Sequence, residues 1–310
     1  MEFETTESEA IRMSGAGLSL AADRWRPVGQ AGKGVVLLLH GGGQTRHSWH
    51  HTGARLGSEG WDTYAVDLRG HGDSDWDPAG DYGMSAIAAD IQEMVAHAKA
   101  QAPGLPVALV GASLGGKTSM IALGESPGLA QALVLVDIAV RVEAAGGRRV
   151  FDFMRSAPNG FASLEEAASS IAAYNPNRPR SGSLEGLKKN LRLRAGRWHW
   201  HWDPRVMTPP EAPEDPSASP LSEVIYERSK LAAQAITCPV LLVRGMKSDV
   251  VSDAGVAEMR RLVPHGTYVD VRDAGHMVAG DDNDIFTASL VGFLDQSLSP
   301  CIPSNRKSQS

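Results

Sequence analysis

The sequence predicts an α/β fold in which a mostly parallel sheet is covered by helices on both faces. Three observations predict it. Short, continuous apolar runs recur along the 310 residues, as strands buried on both faces require. Segments with apolar residues at helical spacing alternate with these runs. Between residues 139 and 235 the alternation stops, which marks an inserted unit between two core strands.

In chain order, residues 3–13 and 18–26 alternate loosely around Ser14-Gly15-Ala16-Gly17, the pattern of a hairpin. The apolar run 35–39 ends in His40-Gly41-Gly42-Gly43-Gln44. A second run, 63–66, ends in Asp67-Leu68-Arg69-Gly70-His71-Gly72-Asp73-Ser74. Ile87, Ile91, Met94, Val95 and Ala98 predict a helix over 85–101. The run 107–110 then meets Gly111-Ala112-Ser113-Leu114-Gly115-Gly116, with a helix expected over 114–124 and a strand over 132–138. Inside the insert, helices are expected at 163–174, 184–195 and 221–235, around a Pro-rich stretch at 204–220. The insert therefore reads as an all-helical cap. The core resumes with a strand at 240–243, ending in Arg244-Gly245-Met246-Lys247-Ser248-Asp249. A helix at 253–263, a strand at 267–271 leading to Ala274-Gly275-His276, and a helix at 284–297 complete it. The expected division is core at 1–138 and 236–298, cap at 139–235, and a disordered polar tail at 299–310.

Apolar content of 42% and charged content of 21% suit an ordinary globular protein, large enough for one α/β domain with an insert. A net charge of −6 argues against a nucleic-acid or anionic-membrane surface. No apolar run approaches the roughly 18 residues of a membrane span, and the acidic N-terminus lacks a signal pattern. A cytoplasmic location with no nucleic-acid or membrane partner is expected. Cys238 and Cys301 lie far apart, so neither a disulfide framework nor a Cys-based metal site is expected. His47, His50 and His51 lack H-E-x-x-H spacing and read as a solvated or helix-start cluster, not as metal ligands.

The stretch 107–120 carries two chemistries. Gly111-x-Ser113-x-Gly115 places a serine at the apex of a sharp strand-to-helix turn, with glycines where strand and helix pass closely. The same letters, Gly111-x4-Gly116-Lys117-Thr118, satisfy the phosphate-binding P-loop pattern. The local sequence supports either.

The rest of the chain breaks the tie. His40-Gly41-Gly42-Gly43 with Trp49, the turn 67–74, the serine turn, 245–249 and Gly275-His276 each follow a predicted strand. In these residues, over nearly its whole length, the chain resembles the α/β-hydrolase fold. It is most similar to the capped, epoxide-hydrolase-like branch that includes bacterial carboxylesterases. A P-loop protein would leave His40, Asp249 and His276 without a role, and Lys117-Thr118 becomes helix surface.

The resemblance implies Ser113 as nucleophile, His276 as base and Asp249 as the acid that orients it, in the order Ser…Asp…His. Asp137, at the end of the preceding strand, is the alternative acid, and Asp253 a weaker one. The backbone N–H groups of Gly42 and Leu114 are expected to meet the developing oxyanion. Expected substrate contacts are His40, Gly41, Gly43, Trp49, Met154 and Trp200. The alternation Trp198-His199-Trp200-His201-Trp202, which in an extended conformation puts three tryptophans on one face, favours packing of the cap against the body over lining of the acyl pocket. His71 reads as a structural residue of its turn. Because related epoxide hydrolases and dehalogenases attack with aspartate, Ser113 favours ester, thioester or lactone hydrolysis through an acyl-enzyme. A C–C hydrolase, a cofactor-free perhydrolase and a non-catalytic ligand-binding protein are the alternatives. A small ester-like substrate is expected, with no cofactor and no metal.

Overall fold

The computed structural model describes residues 7–27, 32–174, 184–207, 220–272, 274–275 and 284–298. The chain opens with an antiparallel hairpin, β1 (Glu9–Ser14) and β2 (Ser19–Trp25). The core then runs β3 (Val35–Leu39), α1 (His50–Ser58), β4 (Asp62–Val66), α2 (Met84–Gln101), β5 (Val107–Ala112), α3 (Ser113–Glu125) and β6 (Ala132–Val136). The insert holds α4 (Ala144–Arg155), α5 (Leu164–Tyr174), β7 (Leu191–Arg194), β8 (Arg197–Trp200) and α6 (Pro220–Ala235). The core closes with β9 (Val240–Gly245), α7 (Asp253–Leu262), β10 (Thr267–Val271) and α8 (Asp284–Leu298).

Eight strands form one sheet in the order β1-β2-β4-β3-β5-β6-β9-β10. From β4 to β10 neighbouring strands are parallel, and β2 joins β4 antiparallel. The side-chain period of two divides each strand between two cores. Val35, Leu37 and Leu39 pack beneath α2, α3 and α7, with Met94, Met120 and Met259. Val36 and Leu38 face Leu56 of α1 and Phe286, Leu290 and Leu294 of α8. Each such side chain, fully removed from water, stabilises the fold by about 1.5–3 kcal/mol relative to exposure. Among the described residues, no helix is long and apolar enough to cross a membrane.

The core elements agree with the expected ones to within a few residues. The cap does not. Where a helix was expected over 184–195, a 3-10 turn at Glu185–Lys189 is followed by the antiparallel pair β7–β8, so the insert is not all-helical. The physical reason is a period of two: Leu191 and Leu193 alternate with Arg192 and Arg194. Ala195 and Gly196 then take left-handed backbone, φ +47° and +77°, which closes a tight hairpin. Helix α4 had no counterpart in the sequence reading, and α1, which begins at His50, had only the helix-start reading of the His47, His50 and His51 cluster. The expected tail, 299–310, and most of the Pro-rich stretch, 208–219, lie outside the described residues.

Two core turns anchor the insert. The chain leaving β8 pairs with the 70–72 turn: Gly72 N–H donates to His201 O at 2.7 Å and Asp203 N–H to Gly70 O at 2.8 Å. At the other end, Glu143 N–H donates to Val250 O at 3.0 Å. Gly146 of α4 lies so close that a Cβ there would sit 2.1 Å from Asp249 O.

Candidate active site

Ser113 begins α3 directly after β5, at the carboxyl end of the sheet, with φ +44°. Such backbone costs a non-glycine residue roughly 1–3 kcal/mol and persists only where its surroundings enforce it. Here they do. A Cβ at Gly111 would lie 2.4 Å from Gly116 N, and one at Gly115 would lie 2.5 Å from Leu39 O. The strand and helix touch through backbone, and the serine projects from the turn between them. Because α3 starts at Ser113 itself, no loop remains to wrap a phosphate, and the P-loop alternative fails on geometry.

The loop after β3 runs beside the serine. A Cβ on Gly41 would be 3.3 Å from Ser113 Cβ. Its three glycine amides are distributed unequally. Gly41 N–H donates to Gln44 Oε1 at 2.9 Å and Gly43 N–H to His71 Nε2 at 3.3 Å. Among the described residues, no hydrogen-bond partner is recorded for the Gly42 amide. The Leu114 amide lies in the first turn of α3, where helix geometry supplies no partner. Of the expected substrate contacts Gly41 and Gly43, both amides are already engaged within the protein.

Two buried rings hold this loop. His40 Nδ1–H donates to Gly41 O at 2.8 Å while its Nε2 accepts from Leu68 N–H at 3.0 Å. His71 Nδ1–H donates to Arg69 O at 3.0 Å and its Nε2 accepts from Gly43 N–H. Each ring needs one bare nitrogen, so both are neutral. Burial pulls the pKa of His40 down to about 4 and that of His71 to about 3. His71 is the structural residue expected of it. His40, expected as a substrate contact, is fully buried beneath the loop.

Arg46 completes the support and was not singled out from the sequence. Its buried guanidinium reaches Asp23, Asp67 and Asp73, and its N–H donates to Asp67 Oδ1 at 2.6 Å. No periodicity or motif marks such a residue, because a loop arginine between apolar strands reads as solvated.

Of the other expected contacts, Met154 reaches the loop: its Sδ lies 3.5 Å from a Cβ position on Gly42. Trp49 does not, being fully buried on the opposite face of the sheet against Phe286. Trp200 stacks on Trp202 at 4.9 Å, inside a cluster of the insert with Met154 and Phe161, and Trp198 packs on the same cluster. The tryptophan alternation thus builds the interior of the insert, and of its tryptophans Trp202 reaches the core, at His71, where packing against the body was expected of all three.

The two candidate acids have different surroundings. Asp249 is partly exposed, and its carboxylate is held by Arg149 of α4 in a two-point pair, 2.8 and 2.9 Å. Asp137 is fully buried directly after β6, with φ +47°. Its Oδ1 accepts from Gly245 N–H at 3.0 Å and its Oδ2 from the Ser248 hydroxyl at 2.5 Å. A Cβ on Gly245 would meet the carbonyl oxygens of Ala274 and Gly275 at 2.5 Å. His276 lies outside the described residues.

Lys117 departs from the expected helix surface. It is buried, and its Nζ donates to Ala139 O and Val140 O, each at 2.7 Å. Thr118 is buried too, its hydroxyl on Leu114 O at 2.8 Å.

A model of the α/β hydrolase fold matches residues 34–282. An esterase of Mycobacterium tuberculosis is 30% identical over 268 residues, spanning 84% of this chain and 82% of that protein. Its solved structure has a TM-score of 0.69 at 27% identity, covering 93% and 92% of the two chains. The N-formylmaleamate deformylase of Pseudomonas putida is 31% identical over 289 residues, 92% of this chain and 98% of the relative. The crystal structure of E-2-(acetamidomethylene)succinate hydrolase has a TM-score of 0.75 at 24% identity, covering 93% of this chain and all of that one, a likeness of fold. These relatives are hydrolases, and the chain belongs to the α/β hydrolase fold family.

Proposed function

We propose that this protein is a serine hydrolase that cleaves a carboxylic ester, lactone or thioester of a small molecule through an acyl-enzyme on Ser113. The observation that carries the reading is the pairing of Ser113, at the apex of an enforced left-handed turn, with a Gly42 amide that has no recorded partner beside it. A serine hydroxyl is a weak nucleophile at neutral pH and needs a base. His276 takes the Oγ proton as Oγ attacks the carbonyl carbon. The carbonyl oxygen gains the electron pair and is met by the N–H groups of Gly42 and Leu114. Collapse expels the alcohol or thiol, which leaves with the proton from His276. Water then repeats the cycle on the acyl-enzyme.

For the acid behind His276 we favour Asp137 over Asp249. The Asp137 carboxylate is buried next to the strand that carries Ser113, and it shares Gly245 with the backbone of Ala274 and Gly275, the residues before the base. Asp249 already neutralises Arg149 at the edge of the cap. A buried carboxylate is the better partner for an imidazolium that forms in the transition state.

Hydrolysis of short-chain p-nitrophenyl esters by wild type and Ser113→Ala tests the reading. The substitution should lower kcat by about 10⁴-fold or more, and undiminished turnover would overturn the nucleophile. A second reading, hydrolysis of an N-acyl bond, is favoured by the similarity to N-formylmaleamate deformylase over 92% of this chain. N-formyl and N-acetyl amides of unsaturated acids in the same panel separate it from ester hydrolysis.

A further inference from the structure

We propose that Lys117 is a positioning residue for catalysis, acting by clamping the segment that presents Asp137. The inference rests on the reading of Asp137 as the acid. Three observations converge on it. Asp137 sits in left-handed backbone, φ +47°, so its carboxylate direction depends on how the chain is held on either side. On the side of β6 the Asp137 N–H is fixed to Val243 O at 2.8 Å. On the far side the chain passes Ile138, whose methyl lies 2.5 Å from a Cβ position on Gly116, and reaches the two carbonyls that Lys117 holds.

Lys117 stands one turn beyond Ser113 on α3, so it ties the helix that carries the nucleophile to the segment that carries the acid. Nothing in the acyl-transfer steps uses this amine. Burial draws its pKa down to about 7, against a smaller opposing effect of Glu258. Both –NH₂ and –NH₃⁺ offer the two N–H groups that the carbonyls accept. The clamp therefore survives titration of the lysine, and its effect is one of geometry. A buried lysine costs stability through desolvation, and two backbone carbonyls left bare would cost stability as well. Left-handed backbone at a non-glycine residue such as Asp137 persists only where its surroundings enforce it, and the two carbonyls held by Lys117 are part of that enforcement.

The test compares wild type, Lys117→Met, Lys117→Gln, Asp137→Asn and Lys117→Met/Asp137→Asn with p-nitrophenyl acetate, following kcat, KM and the pH profile of kcat/KM. Methionine keeps the stem and removes the donors. It should lower kcat by about 10- to 100-fold, the size expected of a misplacement near 1 Å, with KM within about twofold. The acid limb of the profile should move to lower pH, as the base loses a well-placed carboxylate. Glutamine, which keeps a shorter donor, should fall between and serves if the methionine variant does not fold. The double variant should be no slower than Asp137→Asn alone. A single Lys117 variant that folds with wild-type kcat and an unmoved acid limb overturns the clamp, as do losses that multiply with Asp137→Asn. If Asp137→Asn itself turns over like wild type, the acid assignment fails and the clamp fails with it.

Discussion

Acidifying the protein from pH 7 to pH 5 should destabilise it by about 4 kcal/mol through two rings, His40 and His71. Each ring accepts a backbone N–H at Nε2 and donates from Nδ1. A second proton would set one N–H against another in a site without water exposure. In the unfolded chain a histidine takes up its proton near 6.5. In the folded chain burial delays that uptake to about 4 for His40 and about 3 for His71. Between those values the unfolded state binds more protons, so stability falls with falling pH. It is intact above 6.5 and lost progressively down to pH 4 for one ring and pH 3 for the other. Linkage gives about 2 kcal/mol per ring between pH 7 and pH 5, a large part of the 5–15 kcal/mol typical of a domain. His47, His50, His97 and His201 are shifted the same way by burial and steepen the loss. Asp73 and Asp203 are held below the ordinary carboxylate range, so their contribution disappears only at lower pH and leaves this window clear. Urea unfolding followed by tryptophan fluorescence at pH 7, 6 and 5 measures the effect. The expected slope between pH 6 and 5 is at least about 2 kcal/mol per pH unit, and His71→Gln should lower it by about 1. A flat profile, or a slope that His71→Gln leaves alone, refutes the neutral-ring scheme.

Asp249→Asn should leave kcat within about fivefold and stability within about 1 kcal/mol, because it breaks a half-exposed pair with Arg149. A loss of about 10⁴-fold, the size seen when a triad acid is made neutral, would return the acid role to Asp249. Met154→Ala removes the side chain that closes over Gly42 and Gly43. It should raise the kcat/KM ratio of hexanoate to acetate esters by about 10-fold or more, since each methylene accommodated is worth roughly 0.8 kcal/mol. An unchanged ratio would separate Met154 from the acyl pocket.

The elements that surround the site were legible in the sequence for a simple reason. Strands buried on both faces are apolar throughout, and runs such as 35–39, 107–110 and 240–243, too short for a helix and rich in valine, read as such strands. The glycines flanking Ser113 were equally legible, because each faces backbone that no side chain can displace. What escaped depends on partners distant in sequence. Lys117 reads as surface until the carbonyls of Ala139 and Val140 are seen against it. Trp49 and His40 flank a glycine-rich loop and have types that suit a pocket, but the fold turns one to the far core and closes the other behind the loop. Asp137 and Asp249 both follow strands, and their burial and hydrogen-bond partners, Gly245 and Ser248 against Arg149, distinguish them. The β7–β8 hairpin was misread because its leucines satisfy helical and extended patterns over so short a stretch.

The insert between β6 and β9 is joined to the core through turns that lie outside it. His71 both pairs with Trp202 and holds the Gly43 amide, while the 249–250 turn receives Glu143 and Gly146. A chimaera that exchanges residues 139–235 alone would graft a foreign roof onto two joints cut for the original. The transferable unit is the insert together with the 70–73 and 249–250 turns. Recombination that respects those three segments should preserve the geometry at Ser113 while replacing what lies above it.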